Sequence, residues 1–255
     1  MSARPYVLQE TNWKSVKETN FQVAVLPWGA TEAHNTHLPY GTDNMQLDRI
    51  AADSCAFAWE QGARVVALPT VPFGVNTGQS DIKLDLNMMP STQLALMGDI
   101  ARVLEQQEIP KLVILNGHGG NDFRQMVREV GFHYPKLFIC EINWFKALDT
   151  AHYFNNPGDH AGELETSLML EIAPELVLPL DEAGDGNVRS WKIPEFHEGW
   201  AWAERRWSKV TDDTGVGDPR GASSSRGKRF LDALAQKLGT FLVKLASTDN
   251  TDLYE

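Results

Sequence analysis

Cysteine and positive charge are both scarce in this sequence. Of 255 residues only two are cysteines, Cys55 and Cys140. Their spacing fits no metal-binding or redox motif, so we expect two core residues of a reducing compartment and no disulfide framework. The 23 Lys and Arg residues against 34 Asp and Glu give a formal net charge of −11. This balance argues against nucleic acid or an anionic membrane as a partner.

Long apolar runs, a common catalytic motif and a common cofactor-binding motif are missing as well. No run approaches the ~20 residues of a membrane span, and no N-terminal apolar segment resembles a signal peptide. We therefore expect a cytoplasmic protein. The absence of a Gly-x-Ser-x-Gly elbow disfavours Ser-His-Asp chemistry. The run Gly117-His118-Gly119 lacks the third glycine of a dinucleotide-binding fingerprint.

Short apolar segments alternate with segments of helical periodicity. The apolar segments are rich in Val, Ile, Leu or Phe without alternation, which is typical of parallel strands covered on both faces. The predicted strands are residues 22–27, 64–69, 111–116 and 137–141. The predicted helices are residues 43–61, 91–107 (capped by Ser91), 121–130 (capped by Asn121), 162–172 and 222–247. This alternation predicts an α/β fold, a three-layer α/β/α sandwich with a mostly parallel, doubly wound central sheet. We expect one domain over residues 1–255.

Four of the seven histidines lie in three short motifs at the ends of strands or the start of a helix. Open α/β sheets place their sites at the carboxyl ends of strands. Glu, His and Asp side chains supply the O and N donors that Zn²⁺, Mn²⁺ and Fe²⁺ prefer. A metal site is therefore the leading hypothesis, although acids and histidines in one such loop could merely cap helices. The motifs are Glu32-Ala33-His34-Asn35-Thr36-His37-Leu38-Pro39-Tyr40-Gly41-Thr42-Asp43, Asn116-Gly117-His118-Gly119-Gly120-Asn121 and Asp159-His160-Ala161-Gly162-Glu163-Leu164-Glu165.

With these motifs the chain resembles the creatininase (creatinine amidohydrolase) family. Besides them, the run Pro27-Trp28-Gly29-Ala30-Thr31 and the late turn Thr214-Gly215-Val216-Gly217-Asp218-Pro219 match the family. The matches extend from about residue 20 to 230 in the order and spacing of the family. The resemblance implies a three-layer α/β/α fold, a two-metal site, hydrolysis of an amide C–N bond and a homohexamer.

The resemblance also implies roles for single residues. It places Glu32, His34, Asp43 and His118 on the metal ligands, with Asp43 as the carboxylate that bridges two ions. It places His160 on the catalytic histidine. His37 is expected to support the site from outside the ligand set.

The chain departs from creatininase in its last ligand. Creatininase has an acidic ligand two residues after the histidine of the Asn-Gly-His motif, where this chain has Gly120. Many relatives carry an acid in the His-Ala-Gly-Glu segment instead. We therefore predict Glu163 as the remaining ligand and, with His160, as a catalytic residue. The alternative is that Glu163 only stabilises the first turn of its helix.

Substrate recognition departs from creatininase as well. Creatininase has an aromatic residue that covers its ligand, and residues 155–158 at that place in this chain include no aromatic residue. We therefore do not expect creatinine to be the substrate. Trp144 either lines the site or belongs to the core. Residues 191–207 contain four tryptophans among charges, and we expect part of this segment to be buried between subunits or over a site.

Three functions follow as hypotheses. The first is a metal-dependent hydrolase that uses a metal-bound hydroxide to cleave a C–N amide bond, in a cyclic amide or formamide, of a small polar substrate. It would hold one or two divalent ions per chain, with Zn²⁺ expected ahead of Mn²⁺ or Fe²⁺. The second is a metal-dependent ring-opening hydrolase or isomerase of a keto-inositol or sugar-like ketone. The third is a catalytically silent scaffold that keeps its metal for stability.

Overall fold

A computed structural model describes residues 4–254 of the chain. Its centre is a sheet of four parallel strands in the order β2-β1-β3-β4. Trp28 at the end of the first strand pairs with Asn116 at the end of the third, and Asn116 in turn pairs with Asn143. The strands are β1 (Val23–Trp28), β2 (Val65–Ala67), β3 (Lys111–Asn116) and β4 (Phe138–Asn143).

Helices connect the strands and cover the sheet. The α-helices are α1 (Trp13–Val16), α2 (Thr42–Glu60), α3 (Pro90–Gln106), α4 (Arg124–His133), α5 (Glu163–Ile172), α6 (Glu195–Glu198), α7 (Trp207–Val210) and α8 (Ser224–Ser247). Short 3-10 helices lie at Leu8–Glu10, Thr77–Gln79, Trp144–Lys146, Thr150–His152, Pro174–Leu176 and Pro219–Gly221. No helix among the residues that the structure describes is long and apolar enough to cross a bilayer.

Each face of the sheet has its own core. Val23 and Val25 of β1 pack with α2, α5 and α8, whereas Ala24 and Leu26 pack with α3 and α4. Successive side chains of a strand point to opposite faces, so a strand buried on both faces must be apolar throughout. This explains the uninterrupted apolar runs of the sequence. The predicted three-layer, doubly wound α/β fold is confirmed.

Strand order places the carboxyl ends of β1 and β3 side by side. The chain leaves β1 towards β2 at one edge, then returns past β1 to form β3 on the other side. Crevices form where the winding direction of an open sheet reverses in this way. The loops that follow β1 and β3 carry two of the three histidine motifs, so the fold brings these motifs together.

Ser91 and Asn121, the two residues predicted to cap helices, do not cap them in the structure. α3 is preceded by Met89 and takes Pro90 as its first residue, because the fixed φ of proline suits that position and its missing N–H is not needed there. α4 begins at Arg124 after Phe123. Asn121 does not cap it, because its side-chain oxygen accepts hydrogen bonds from the backbone N–H of Val75 and from Gln93 Nε2 instead.

Candidate metal centre

The loop after β1 delivers the first polar residues of the site. Glu32 and His34 are almost completely buried, with 1% and 0% of their surface exposed. Asp43 lies in the first turn of α2 and is buried as well. The His34 Nε2 atom lies 3.0 Å from Asp43 Oδ1. Asn35 holds the turn between them in a left-handed conformation (φ 54°), and its backbone N–H donates to Thr214 Oγ1 at 2.9 Å.

The loop after β3 adds His118 to the same cluster. Its Nδ1 atom lies 2.9 Å from Glu32 Oε1 and 3.3 Å from Asp43 Oδ2. Its Nε2 atom lies 3.1 Å from the carbonyl oxygen of Val75. A carbonyl can only accept, so Nε2 carries a hydrogen and Nδ1 is the atom turned towards the carboxylates. Fixing the second ring nitrogen in this way is typical of metal-binding histidines.

Asp43 belongs to two overlapping groups of possible ligands. In each group the ligand atoms lie within 4.8 Å of one another. A third group joins His160 to Glu32 and His34 of the loop after β1. The groups are Glu32, Asp43 and His118; His34, Asp43 and Glu165; and Glu32, His34 and His160. Asp43 Oδ2 is buried and accepts no hydrogen bond from any described residue, although it lies 3.3 Å from an imidazole nitrogen.

Glu163 does not reach this cluster. Its carboxylate pairs with Arg226 of α8 and accepts the backbone N–H groups of Asn155 and Asn156 at 3.0 and 2.8 Å. Glu165 lies at the cluster in its place, with Oε2 3.9 Å from His34 Nε2. Residues two apart on a helix point in directions about 200° apart, so only one of the two glutamates can face the site. The structure therefore places Glu165 within the cluster and Glu163, the predicted ligand, outside it.

His160 lies at the edge of the cluster. Its Nε2 atom donates to the carbonyl oxygen of Ala33 at 2.9 Å, and its Nδ1 atom lies 3.9 Å from Glu32 Oε1. Its ring centroid is 4.1 Å from that of His34. The hydrogen bond to the carbonyl assigns the proton of the neutral ring to Nε2. The Nδ1 atom is thereby left to accept or return a proton on the side of the carboxylates.

Burial and mutual charge shift the ionisation of the cluster. Burial lowers the pKa of His34, but the carboxylates of Asp43, Glu165 and Glu32 overcome this and raise that pKa to about 10. Burial likewise opposes a charge on His118, yet neighbouring carboxylates raise its pKa well above the usual range. The imidazoles in turn hold the pKa of Glu32 below its usual range despite burial. The buried carboxylates and imidazoles therefore stabilise each other's charged forms.

Sequence comparison identifies the family to which the chain belongs. Residues 9–242 match the creatininase (creatinine amidohydrolase) family. The chain belongs to the creatininase family.

Three relatives illustrate the range of similarity within and around the family. A crystal structure from Bacteroides fragilis NCTC 9343, provisionally described as a creatinine amidohydrolase, is 40% identical, with a TM-score of 0.93 over 100% of both chains. Creatininase structures of a Zn–Zn type and of a Mn form are 20% and 19% identical, with TM-scores of 0.75 and 0.77 over 95% of this chain and 99% of theirs. The mycofactocin precursor peptide peptidase of Mycobacterium ulcerans is 28% identical over 87% of this chain and 84% of its own length.

A cavity of about 850 Å³ opens onto the candidate centre of this creatininase-family chain. Glu32, His118 and His160 lie in its wall. Phe145, rather than Trp144, lines it; Trp144 is buried in the core against Phe230. Of the two roles considered for Trp144, the core role is the one observed.

Residues 199–210 form a roof over one side of this cavity. The Trp207 ring packs edge-on against the ring of His160, with centroids 4.9 Å apart, and the Arg205 guanidinium lies 4.9 Å from the Trp207 centroid. Part of the tryptophan-rich segment therefore covers the site, as expected. Trp200 and Trp202 remain 72% and 85% exposed.

Side-chain contacts hold the roof to both margins of the cavity. Glu204 contacts Thr77, Ser208 contacts Asp81, and Arg205 Nη1 lies 2.9 Å from Asp159 Oδ2. All three of these contacts are exposed to solvent.

His37 lies outside all three groups of possible ligands. Its Nε2 atom lies 2.8 Å from Thr166 Oγ1, and burial lowers its pKa to about 4. A neutral ring that contacts α5 fits a supporting role for this histidine. Burial also raises the pKa of the Cys55 and Cys140 thiols to about 12, so neither is a ready source of a thiolate ligand.

Proposed function

We propose that this chain is a metal-dependent hydrolase that cleaves a C–N amide bond, in a cyclic amide or formamide, of a small polar substrate. The family name and the peptidase activity named for the mycobacterial relative both concern amide bonds. Creatinine itself is not the proposed substrate, because residues 155–158 offer no aromatic cover for it.

The observation that carries this proposal is the position of Asp43 between two groups of ligands. Its two oxygens face different partners: Oδ1 contacts His34, and Oδ2 lies nearest His118. A carboxylate shared in this way suits two divalent ions, with Glu32 and His118 on one side and His34 and Glu165 on the other. The buried Oδ2 that accepts no hydrogen bond is the donor atom a cation would satisfy. The residues present therefore fit a two-ion site.

Divalent ions held by these residues would lower the pKa of a bound water and polarise the substrate carbonyl. The protein itself contributes a fixed arrangement of donors, because the hydrogen bond from His118 Nε2 to Val75 prevents that ring from rotating. Burial of the cluster excludes bulk water and strengthens its electrostatic interactions.

His160 is the proposed proton carrier. Its Nε2–H is engaged by Ala33, so only Nδ1 can exchange a proton with the reacting groups. We assign a proton transfer to Nδ1: it would accept a proton from the attacking water and donate that proton to the nitrogen that departs when the C–N bond breaks. Trp207 packs on this ring and limits the directions from which a substrate can approach it.

The metal and the assembly are part of the proposal. Mixed nitrogen and oxygen donors discriminate weakly between Zn²⁺, Mn²⁺ and Fe²⁺, and we place Zn²⁺ first. The creatininase structures of the Zn–Zn type and the Mn form support that choice of metals. A homohexamer is proposed from the family resemblance, with light scattering at micromolar concentrations as its test.

A ring-opening hydrolase or isomerase of a sugar-like ketone is the second candidate. The cavity wall carries several side-chain amides, among them Asn76, Gln79 and Asn121, which suit a polyhydroxylated ligand. An intact set of possible ligands weighs against a silent scaffold.

The test is hydrolysis by metal-loaded protein of a panel of cyclic amides, formamides and keto-inositols. Elemental analysis of protein purified without chelator accompanies it. The proposal expects at least one equivalent of a transition metal and turnover of an amide that disappears in Asp43→Asn. Less than half an equivalent, with none retained on reconstitution, would refute it.

A further inference from the structure

Ala33 joins two of the proposed ligands, and both of its backbone polar groups are hydrogen-bonded. It lies between Glu32 and His34 in the chain and is only 6% exposed. Its N–H donates to Asp85 Oδ1 at 2.7 Å, and its carbonyl oxygen accepts from His160 Nε2 at 2.9 Å. The position of this one residue therefore affects both ligands and the proposed proton carrier.

Asp85 is the acceptor on the side of Ala33 away from His160. It lies in the loop between β2 and α3 and is partly buried. Its Oδ2 atom is buried and accepts no hydrogen bond from any described residue. Carboxylates are seldom buried with so few partners, because water solvates them better. The bond to Ala33 is thus the hydrogen bond that this carboxylate contributes to the described part of the chain.

The loop that carries Asp85 is fixed against the same segment of backbone. The Leu86 N–H donates to the carbonyl oxygen of Thr31 at 3.0 Å, which forms an isolated antiparallel bridge. The Asn76 side chain donates to the carbonyl oxygen of Leu86 at 3.1 Å, and Asn76 is itself buried. Because its neighbour Leu86 is held in this way, Asp85 meets Ala33 from a defined position.

We propose that Asp85 is a positioning residue of the metal centre, whose hydrogen bond to the Ala33 N–H holds Glu32 and His34 at the spacing that ligation requires. The inference rests on the proposed function, since it concerns the same centre. Asp85 belongs to none of the three groups of possible ligands, so it acts through Ala33 and not on an ion. Residues that orient ligands from outside commonly contribute about 10–100-fold to metal affinity.

Three substitutions separate the hydrogen bond from the rest of the side chain. Asp85→Ala removes the acceptor together with the bulk of the side chain. Asp85→Leu removes the acceptor but keeps a branched side chain of similar shape. Asp85→Asn has that shape as well and retains a carbonyl oxygen that can accept from Ala33. A positioning hydrogen bond is lost in the first two variants and retained in the third, whereas a role of the charge would be lost in all three.

Gln22 provides a matched control at the opposite end of the sheet. Its Oε1 atom accepts from the backbone N–H of Arg64 at 2.8 Å, just before β1 and β2 begin. Gln22 is partly buried, as Asp85 is. The two bonds join residues 42 and 52 positions apart. Gln22→Ala therefore removes a bond of the same kind at the amino ends of the strands, away from the metal centre.

The test measures metal affinity separately from turnover and from stability. Metal-free wild type and the four variants are titrated with Zn²⁺ against a fluorescent chelator of known affinity, and their melting temperatures are recorded. Asp85→Ala and Asp85→Leu should bind Zn²⁺ about 10–100-fold more weakly than wild type. Asp85→Asn should recover most of this loss. Gln22→Ala should bind Zn²⁺ as wild type does, even where its melting temperature falls.

Hydrogen exchange of the metal-free protein gives a second readout at Ala33 itself. Amides of residues 31–34 should exchange faster in Asp85→Leu than in wild type, because the Ala33 N–H loses its acceptor. Gln22→Ala should leave the exchange of these amides unchanged.

Several outcomes would overturn the inference. Zn²⁺ affinity unchanged in Asp85→Leu would do so, and so would an equal loss in Asp85→Asn. An equal loss in Gln22→Ala would show a general effect of lower stability and would also overturn it. Each of these results leaves the proposed function standing, because wild type still binds the ion. Absence of Zn²⁺ binding by wild type would instead refute the proposed function and the inference together.

Discussion

The floor and the roof of the cavity are built in different ways. The floor is the cluster of Glu32, His34, Asp43 and His118, which is buried at the ends of β1 and β3 and joined by contacts of 2.9–3.3 Å. The roof, residues 199–210, is held by exposed side-chain pairs such as Arg205 with Asp159. Exposed pairs of this kind are worth about 0–1 kcal/mol each. We infer that the floor sets the chemistry and that the roof adjusts access and selectivity.

The largest effect is expected at the centre of the floor. Asp43→Asn keeps the size of the side chain but removes the charge shared by the two ligand groups. Activity should fall by ~10⁴, since several kcal/mol of transition-state stabilisation depend on the bound ions. Metal content should fall with it. A variant that retains both metals and full turnover would show that this carboxylate is not shared.

The next largest effect is expected at His160, which lies between the floor and the roof. His160→Ala should retain metal and lose ~10²–10⁴ in turnover, because it removes only the proton carrier. Elemental analysis and steady-state kinetics together check this. Loss of metal in the variant would instead make His160 a ligand, in line with its grouping with Glu32 and His34.

Substitutions of the two glutamates of α5 distinguish metal binding from structural support. Glu165→Gln should lower metal content and reduce turnover ~10²-fold. Glu163→Gln should keep its metal but lose about 1–3 kcal/mol of stability, because the buried carboxylate is the partner of Arg226 and of two backbone N–H groups. Metal analysis and thermal unfolding of both variants provide the comparison. The opposite pattern would restore Glu163 as the ligand.

The roof should give a smaller effect. Trp207→Ala removes the ring against His160, so we expect an increase in KM of about tenfold with metal content unchanged. Trp200→Ala, a substitution of a 72% exposed residue in the same segment, is the control and should have no effect. If the Trp207 variant lost metal, the separation between floor and roof would not hold.

The smallest effect is a gradual dependence on pH. In the metal-free protein the pKa of His34 is raised to about 10, above its ordinary value of 6.5. Its contribution to stability is therefore fully present below pH 6.5 and is lost as the pH rises through about 10. Metal displaces the same proton, so metal affinity should increase with pH over this window. Calorimetry in buffers of different ionisation enthalpy should detect proton release, and its absence at pH 8 would contradict the assignment.

Much of the fold and floor could be predicted because they follow from local pattern and topology. The apolar runs that end at Trp28 and Asn116 indicate parallel strands, and parallel strands align their carboxyl ends. Residues in the loops after those ends, such as Glu32 and His118, must then lie close together. The sequence predicts these neighbours without any knowledge of side-chain packing.

The choice between Glu163 and Glu165 could not be made this way. Each lies four residues before a fully buried residue of α5, Ser167 and Met169 respectively, so both sides of the helix are covered. Which side faces the metal cluster depends on how α5 packs against α8. In that packing, Arg226 of α8 forms an ion pair with Glu163. Helical periodicity alone does not contain that information.

The roof could not be predicted for a related reason. The contacts of Glu204 with Thr77 and of Ser208 with Asp81 each join residues 127 positions apart in the chain. No periodicity or local motif links such residues. The abundance of tryptophan indicates that the segment covers something, but it does not identify Trp207 as the residue over His160.

Anomalous diffraction from crystals of the metal-loaded protein is the most direct test of the shared carboxylate. We expect two anomalous peaks on either side of Asp43, one nearest Glu32 and His118 and the other nearest His34 and Glu165. A peak beside Glu163, or a single peak that Asp43 does not contact, would contradict it.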